Sequence, residues 1–358
     1  MKVLVVHPEM KFLGGGERLC CDTIRALQSM GHEITLLCEE FDPQKIEVFF
    51  GYRGLFDRVR LSTYSAGNRN SIFGTSPHLI HHVRGQIRAL SKVEQSNSQP
   101  FDLIFSTQDP GYLPDMSVPV LQWGYFPRYF PDILPRSLVS LPLRTYYTRK
   151  ISRIELVLAI SQYSKLNLDR KWRRPSTLAY PSCNMVNARA KRNLVVTVGR
   201  AIPAKRLELF WKAAAQSPQY EFAMLLTQDP RLIEYSESLS RESPVNGRTI
   251  FNPPMETYHK LLGEAKVYLH LMKGEHFGIT IVEAMSAGCV PVVHDSGGPK
   301  EIVNGELGFR WNDVEEIPSL IERAMEDSPS SRCQLRAEDF RFESFERRLS
   351  EVFSELRA

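Results

Sequence analysis

The sequence predicts an α/β protein of two doubly wound domains, and three observations carry that prediction. Apolar runs of strand length alternate with helical patterns, the alternation lapses once in mid-chain and restarts, and glycine-bearing loops stand where strands give way to helices. Runs that are apolar on both faces need helices on either side of a parallel sheet. A chain of 358 residues with 42% hydrophobic content is long enough for two cores, because single cores stop growing below that length.

In the first half the runs are VLVV (3–6), ITLLC (34–38), DLIFS (102–106), VPVLQ (118–122) and ELVLAI (155–160). The pattern lapses at PSCNMVNARAKRN (181–193) and restarts with LVVTV (194–198). EFAMLL, RTIF, VYLHL and VPVV follow, with helices predicted from about 205 and 230 and over 255–264 and 279–287. This places an N-terminal domain at 1–185 and a second at 186–330. From Ser331 the spacing of Phe340, Phe342, Phe345, Leu349 and Phe353 predicts one amphipathic packing helix over 331–358.

Charge divides unevenly. Residues 1–185 hold 23 Lys and Arg against 16 Asp and Glu, net +7, and the remainder holds 22 against 25, net −3. The N-terminal half is therefore expected to face something anionic. A phospholipid surface or a phosphorylated acceptor is favoured over nucleic acid, for which the chain carries no binding signature. No apolar run approaches the eighteen residues that span a bilayer, and MKVLVV opens on a strand without a leader. A cytoplasmic location, peripheral to the membrane's cytoplasmic face, is the expectation. Cys20, Cys21, Cys38, Cys183, Cys289 and Cys333 form no CxxC pair and are read as reduced core thiols rather than zinc ligands.

The segment Gly274-Glu275-His276-Phe277-Gly278-Ile279-Thr280-Ile281-Val282-Glu283-Ala284-Met285-Ser286-Ala287-Gly288 lies between two predicted strands. Gly278 to Thr280 should open a helix that Gly288 closes. Free N–H groups and the positive dipole end make such a start an anion site, each effect being worth about 0.3–2 kcal/mol. Side chains on a helix lean toward its N-terminus, so Glu283 can point back at that site and accept hydrogen bonds from ribose hydroxyls. Glu275 is expected at a strand end, close to a sugar.

A second segment, Gly199-Arg200-Ala201-Ile202-Pro203-Ala204-Lys205, marks another strand-to-helix junction. Arg200 and Lys205 can neutralise phosphate oxygens, the first bidentately and the second as a point charge. The chain contains no Asp-x-Asp, the pattern with which many sugar-nucleotide enzymes hold a divalent ion. Leaving-group charge is then met by these two cations and the helix start, with no metal.

The third element is the loop Glu9 to Gly16, ending in Gly14-Gly15-Gly16-Glu17. Its glycines let backbone approach a ligand and permit positive φ. As a dinucleotide fingerprint it fits poorly: Leu19 occupies the third glycine's place and the loop is too long. Glu39 or Glu40 does end the second strand where a ribose-binding acid would sit, which keeps a dehydrogenase as a minor alternative.

These segments together resemble a retaining glycosyltransferase of family 4, with the GT-B fold of two Rossmann-like doubly wound domains facing across a cleft. The features that match are GGGER near the N-terminus, AISQYSK at 159–165, GR-x4-K at 199–205 and E-x7-E at 275–283. Glu275 to Ile279, with Pro291-Val292-Val293-His294-Asp295-Ser296-Gly297-Gly298-Pro299, is similar to α-1,2-mannosyltransferases that act on a lipid-linked oligosaccharide. The resemblance implies that the final helix packs back on the N-terminal domain. It implies Arg200, Lys205 and Glu275 as catalytic residues, and His276, Phe277, Gly278, Ile279, Thr280 and Glu283 as donor-binding ones. Gly15 and Gly16 would close over the donor. No cofactor is implied beyond the nucleotide sugar, GDP-mannose in preference to a UDP-sugar, and the acceptor would be a glycan or polyprenyl-linked. Where relatives carry an acceptor-side histidine, this chain has Tyr125. A non-catalytic partner subunit of the same fold is the second class of reading.

Overall fold

The run VLVV becomes an interior strand of a parallel sheet in the computed structural model of the chain, which describes residues 1–65, 82–91, 101–127, 141–326 and 330–355. Val3, Leu4, Val5 and Val6 are fully buried. Burying each such side chain stabilises the fold by roughly 1.5–3 kcal/mol, which is why the most apolar run takes an interior place. The chain divides into two units, each described by itself. The first is Met1–Ile160 with Ser164–Ala179 and Leu349–Ala358, and the second is Ser161–Tyr163 with Tyr180–Arg348.

The first unit comprises β1 (Lys2–Val6), α1 (Gly15–Ser29), β2 (Glu33–Glu39), α2 (Pro43–Phe50) and β3 (Val59–Tyr64). A helix over 82–91, α3, follows. Then come β4 (Leu103–Ser106), β5 (Val120–Gly124), α4 (Leu141–Ser152), β6 (Leu156–Ala159), α5 (Gln162–Trp172) and β7 (Ser176–Leu178). The sheet order is β3-β2-β1-β4-β5-β6-β7, with every pairing parallel. β3 escapes the search for apolar runs because it is an edge strand, with Arg60, Leu61 and Thr63 exposed and Val59, Ser62 and Tyr64 buried. β5 starts two residues later than the VPVLQ run, beyond Pro119, which has no N–H to give to a ladder.

The second unit comprises β8 (Arg192–Arg200), α6 (Glu208–Gln216), β9 (Glu221–Thr227), α7 (Ile233–Arg241), β10 (Gly247–Phe251), α8 (Met255–Glu264) and β11 (Ala265–His270). It continues with α9 (Ile279–Ser286), β12 (Val290–His294), α10 (Pro299–Ile302), β13 (Phe309–Trp311), α11 (Ile317–Glu326), α12 (Ser330–Glu338) and α13 (Phe342–Glu355). Its parallel sheet has the order β10-β9-β8-β11-β12-β13, and Phe210, Phe222, Val267, Leu269 and Trp311 lie in its core.

The single helix expected from Ser331 is two helices. Residues 340 and 342 lie roughly 200° apart on a helix of 3.6 residues per turn, so Phe340 and Phe342 could not share one buried face. The chain breaks between them, and Phe340 turns inward, 5.4 Å from Phe277 and 5.4 Å from Tyr180. The last turns of α13 belong to the first unit, where Phe353 stacks on His32 at 5.2 Å. All six cysteines are buried free thiols. Among the described residues no helix is long and apolar enough to cross a membrane.

Candidate functional site

In a doubly wound sheet, loops diverge at the carboxyl ends of the two strands where the order reverses, and ligands bind there. In the second unit those strands are β8 and β11. Arg200 is the last residue of β8, His270 the last of β11, and the loops that leave them carry Lys205 and Glu275. Topology thus brings both charged segments to one place.

Lys205 closes a 3₁₀ turn over Pro203–Lys205, and its side chain runs back over Gly199. There its ammonium forms an ion pair and hydrogen bond with Glu275 Oε2. His270 Nε2 is 3.3 Å from the same oxygen, while Glu275 Oε1 accepts the His276 N–H at 3.1 Å. Burial opposes ionisation of Glu275, but the Lys205 ammonium outweighs it and holds its carboxyl well below the usual range. Arg200 is half-buried and close enough to help lower the pKa of Asp229, which Arg231 chiefly holds at about 2.

Glu275 does not sit at the strand end. It lies five residues beyond β11, in a loop supported from below by Ser296-Gly297-Gly298. Ser296 Oγ accepts the Gly274 N–H at 2.8 Å, and Gly298 N donates to Glu275 O at 2.8 Å. A Cβ on Gly297, whose φ is +72°, would stand 2.3 Å from Glu275 O. Ser161 Oγ donates to His276 O at 2.5 Å. This support explains why SGGP and the serine of AISQYSK accompany the acidic motif, a link that residue spacing alone did not reveal.

α9 begins at Ile279 with Gly278 as its N-cap, at φ +112°, and no side chain caps it. Ile281 N donates to Gly278 O at 3.0 Å, so the Ile279 and Thr280 N–H groups are the ones turned toward an anion. The Thr280 hydroxyl pairs with Tyr268 OH at 2.7 Å. Phe277 is 2% exposed and wedged between Tyr180 and Phe340, so only its backbone is available to a ligand. Glu283 is 4% exposed, and its Oε2 accepts the Tyr258 hydroxyl. Tyr258 and His270 were missed because a lone tyrosine on a helix and a lone histidine in a strand carry no spacing signal.

In the first unit the corresponding reversal falls between β1 and β4. His7, fully buried, bonds Thr107 Oγ1 at 2.8 Å and faces Glu17 Oε1 at 3.7 Å. Burial opposes its charge, but Cys20 and Glu17 hold the proton and push its pKa up to about 10. Glu17 Oε2 accepts the Gly14 N–H at 2.7 Å, pinning the glycine loop where Gly15 and Gly16 open α1. None of these three glycines has positive φ; the strained residue is Leu13, at +50°. The expected positive φ is thus absent from Gly14, Gly15 and Gly16. Tyr125 OH donates to Thr107 O at 3.0 Å.

One other reading changes. Glu39 does not stand ready for a ribose: its Oε2 is 2.6 Å from Lys11 Nζ. Glu39, Glu9 and His82 form a group of potential metal ligands among the described residues, but Lys11 already supplies a cation there. In the basic segment at 131–154, PDILPRSLVSLPLRTYYTRKISRI, Lys150 and Arg153 are engaged within the fold. Lys150 is buried and donates to Leu113 O and Asp115, and Arg153 binds the same carboxylate. Residues 131–140 of that segment lie outside the described residues.

Two all-parallel doubly wound units are the GT-B architecture. Anabaena HepE, solved in complex with UDP and glucose, shares it with a TM-score of 0.75 at 18% identity over 99% of each chain. The family described as "Glycosyl transferases group 1" matches residues 184–338, the stretch of the second unit that carries Arg200, Lys205, Glu275 and Glu283. The GDP-Man:Man(3)GlcNAc(2)-PP-Dol alpha-1,2-mannosyltransferase of Xenopus laevis is 34% identical over 114 residues, which is 30% of this chain and 24% of that protein. The chain thus spans about a quarter of that relative's length. Alpha-1,3/1,6-mannosyltransferase ALG2 of Mus musculus is 26% identical over 373 residues, covering 90% of this chain and 86% of that one.

Proposed function

We propose that this chain transfers a hexose from a nucleotide sugar, mannose from GDP-mannose, to a glycan or polyprenyl-linked acceptor, with retention of configuration and without a metal. The observation that carries the reading is the uncapped start of α9, which shares the β8/β11 crevice with Arg200, Lys205 and Glu275. In the transfer, the bond from the sugar C1 to the diphosphate breaks and one to an acceptor hydroxyl oxygen forms. The hydroxyl proton is released and negative charge stays on the diphosphate. Lys205, Arg200 and the N–H groups of α9 would stabilise that charge, Glu283 the ribose, and Glu275 the sugar. The mannosyltransferase names of the similar proteins support mannose, and a UDP-sugar is the alternative. Incubation with a panel of nucleotide sugars, read by mass spectrometry for hydrolysis or transfer, tests it. Turnover of GDP-mannose above UDP-sugars is expected; absence of binding or turnover with every donor would favour a non-catalytic subunit.

The N-terminal unit is proposed to dock on an anionic membrane from which a lipid-linked acceptor is taken. Support comes from the net charge of residues 1–185 and from α3, whose Arg84, Ile87 and Arg88 are all exposed. Basic side chains near an acidic surface contribute about 1 kcal/mol each. Salt-sensitive co-sedimentation with acidic vesicles is expected. No binding at low salt, with full activity on a water-soluble acceptor, would remove the membrane.

A further inference from the structure

His270 is a buried histidine whose ring nitrogens make no hydrogen bond. It is 3% exposed, Nδ1 has no hydrogen-bond partner, and Nε2 approaches Glu275 Oε2 at 3.3 Å without completing a hydrogen bond. A buried polar group left unpaired is costly, and such groups mark sites with a task. The oxygen it approaches is the one that Lys205 holds.

Resting on the reading of Lys205 as a ligand of the donor diphosphate, we propose that His270 is the positioning residue that takes over Glu275 when Lys205 turns to the phosphates. It does so by binding a proton from solvent as the nucleotide binds. Glu275 then keeps one cationic neighbour throughout and holds its place beside the sugar, although its first partner has moved.

The charges around the ring fit this exchange. Lys205 faces it from the turn after β8, Glu275 from the loop after β11, Tyr268 stacks on it from β11 at 6.4 Å, and His294 lies at the end of β12. With Lys205 in place, burial and that ammonium keep the imidazole neutral against the pull of Glu275. Moving the ammonium to an anion removes the opposing charge and leaves the carboxylate facing the ring, which favours the imidazolium. His294 is also held neutral, by burial together with Arg206 and Lys273, so it is the competing acceptor.

Calorimetric titration of the full chain with GDP, and separately with UDP, in buffers of different ionisation enthalpy measures the protons bound per nucleotide. Net proton uptake near neutral pH is expected for the wild type. It should vanish in His270→Asn and His270→Gln and persist in His294→Asn. Nucleotide binding without uptake, or uptake lost only with His294→Asn, overturns the role of His270 while leaving the diphosphate site standing. No binding of either nucleotide overturns the site and this inference together. Because either His270 variant can lose its fold, the ¹³Cε1 resonances of the wild-type histidines are followed against pH with and without GDP. A histidine whose pKa rises on binding supports the exchange, and unchanged titration of every histidine overturns it.

Discussion

Lys205 and Glu275, 70 residues apart in the chain, meet as an ion pair between the loops that leave the adjacent strands β8 and β11. The pair is partly buried, with side-chain exposures of 22% and 16%, so neither charge is fully screened by water. Removing one charge-assisted hydrogen bond costs roughly 1.5–3 kcal/mol, or tenfold to more than a hundredfold in the affected constant. Arg200→Ala and Lys205→Ala should each lose turnover by that factor while the protein stays folded. Wild-type kinetics in both variants would sink the assignment.

The Tyr258–Glu283 hydrogen bond leads to a graded expectation. Glu283→Ala should raise KM for the donor with the larger effect, since it removes the carboxylate itself, and Tyr258→Phe should raise it less, since it removes only one donor to that carboxylate. Equal KM values in wild type, Tyr258→Phe and Glu283→Ala would show that neither residue reaches the ribose.

Gly297 tests the support beneath the acidic loop. Alanine there forces a Cβ to 2.3 Å from Glu275 O at φ +72°, and overpacking of this kind costs roughly 1–3 kcal/mol. A lower melting temperature and lost turnover are expected together. Gly305→Ala is the contrast, since nothing lies within 4 Å of its added Cβ. A Gly297→Ala protein with unchanged turnover would show that the loop tolerates displacement.

The His7–Glu17 pair makes stability depend on pH in a defined direction. A histidine whose folded pKa is raised contributes fully below its unfolded value of about 6.5, and the contribution is lost as pH rises through the folded value of about 10. Melting temperature should therefore fall across that window, and His7→Gln should flatten the fall. The same slope in the variant would assign the loss to other groups.

Turnover should survive desalting and EDTA, since two cations and a helix start are available to the leaving diphosphate. A persistent requirement for added magnesium or manganese would overturn this account of leaving-group stabilisation.

The two-sheet architecture was legible from residue order, because a strand buried on both faces must be apolar throughout, and VLVV and LVVTV are. Gly278 was legible as the opening of a helix, but its φ of +112° was not, since helix N-caps ordinarily lie in the extended region. Edge strands such as β3 and β13 were not, because half-exposed strands need no apolar run. The break before α13 escaped as well: one-dimensional spacing does not say whether Phe340 or a continuous helix wins. Local sequence also marked Lys205 and Glu275 as charges on separate loops. Only the order of strands, with β8 beside β11, brought them to one oxygen and set His270 against it, because side chains distant in the chain meet only once backbone pairing has fixed which strand ends are neighbours.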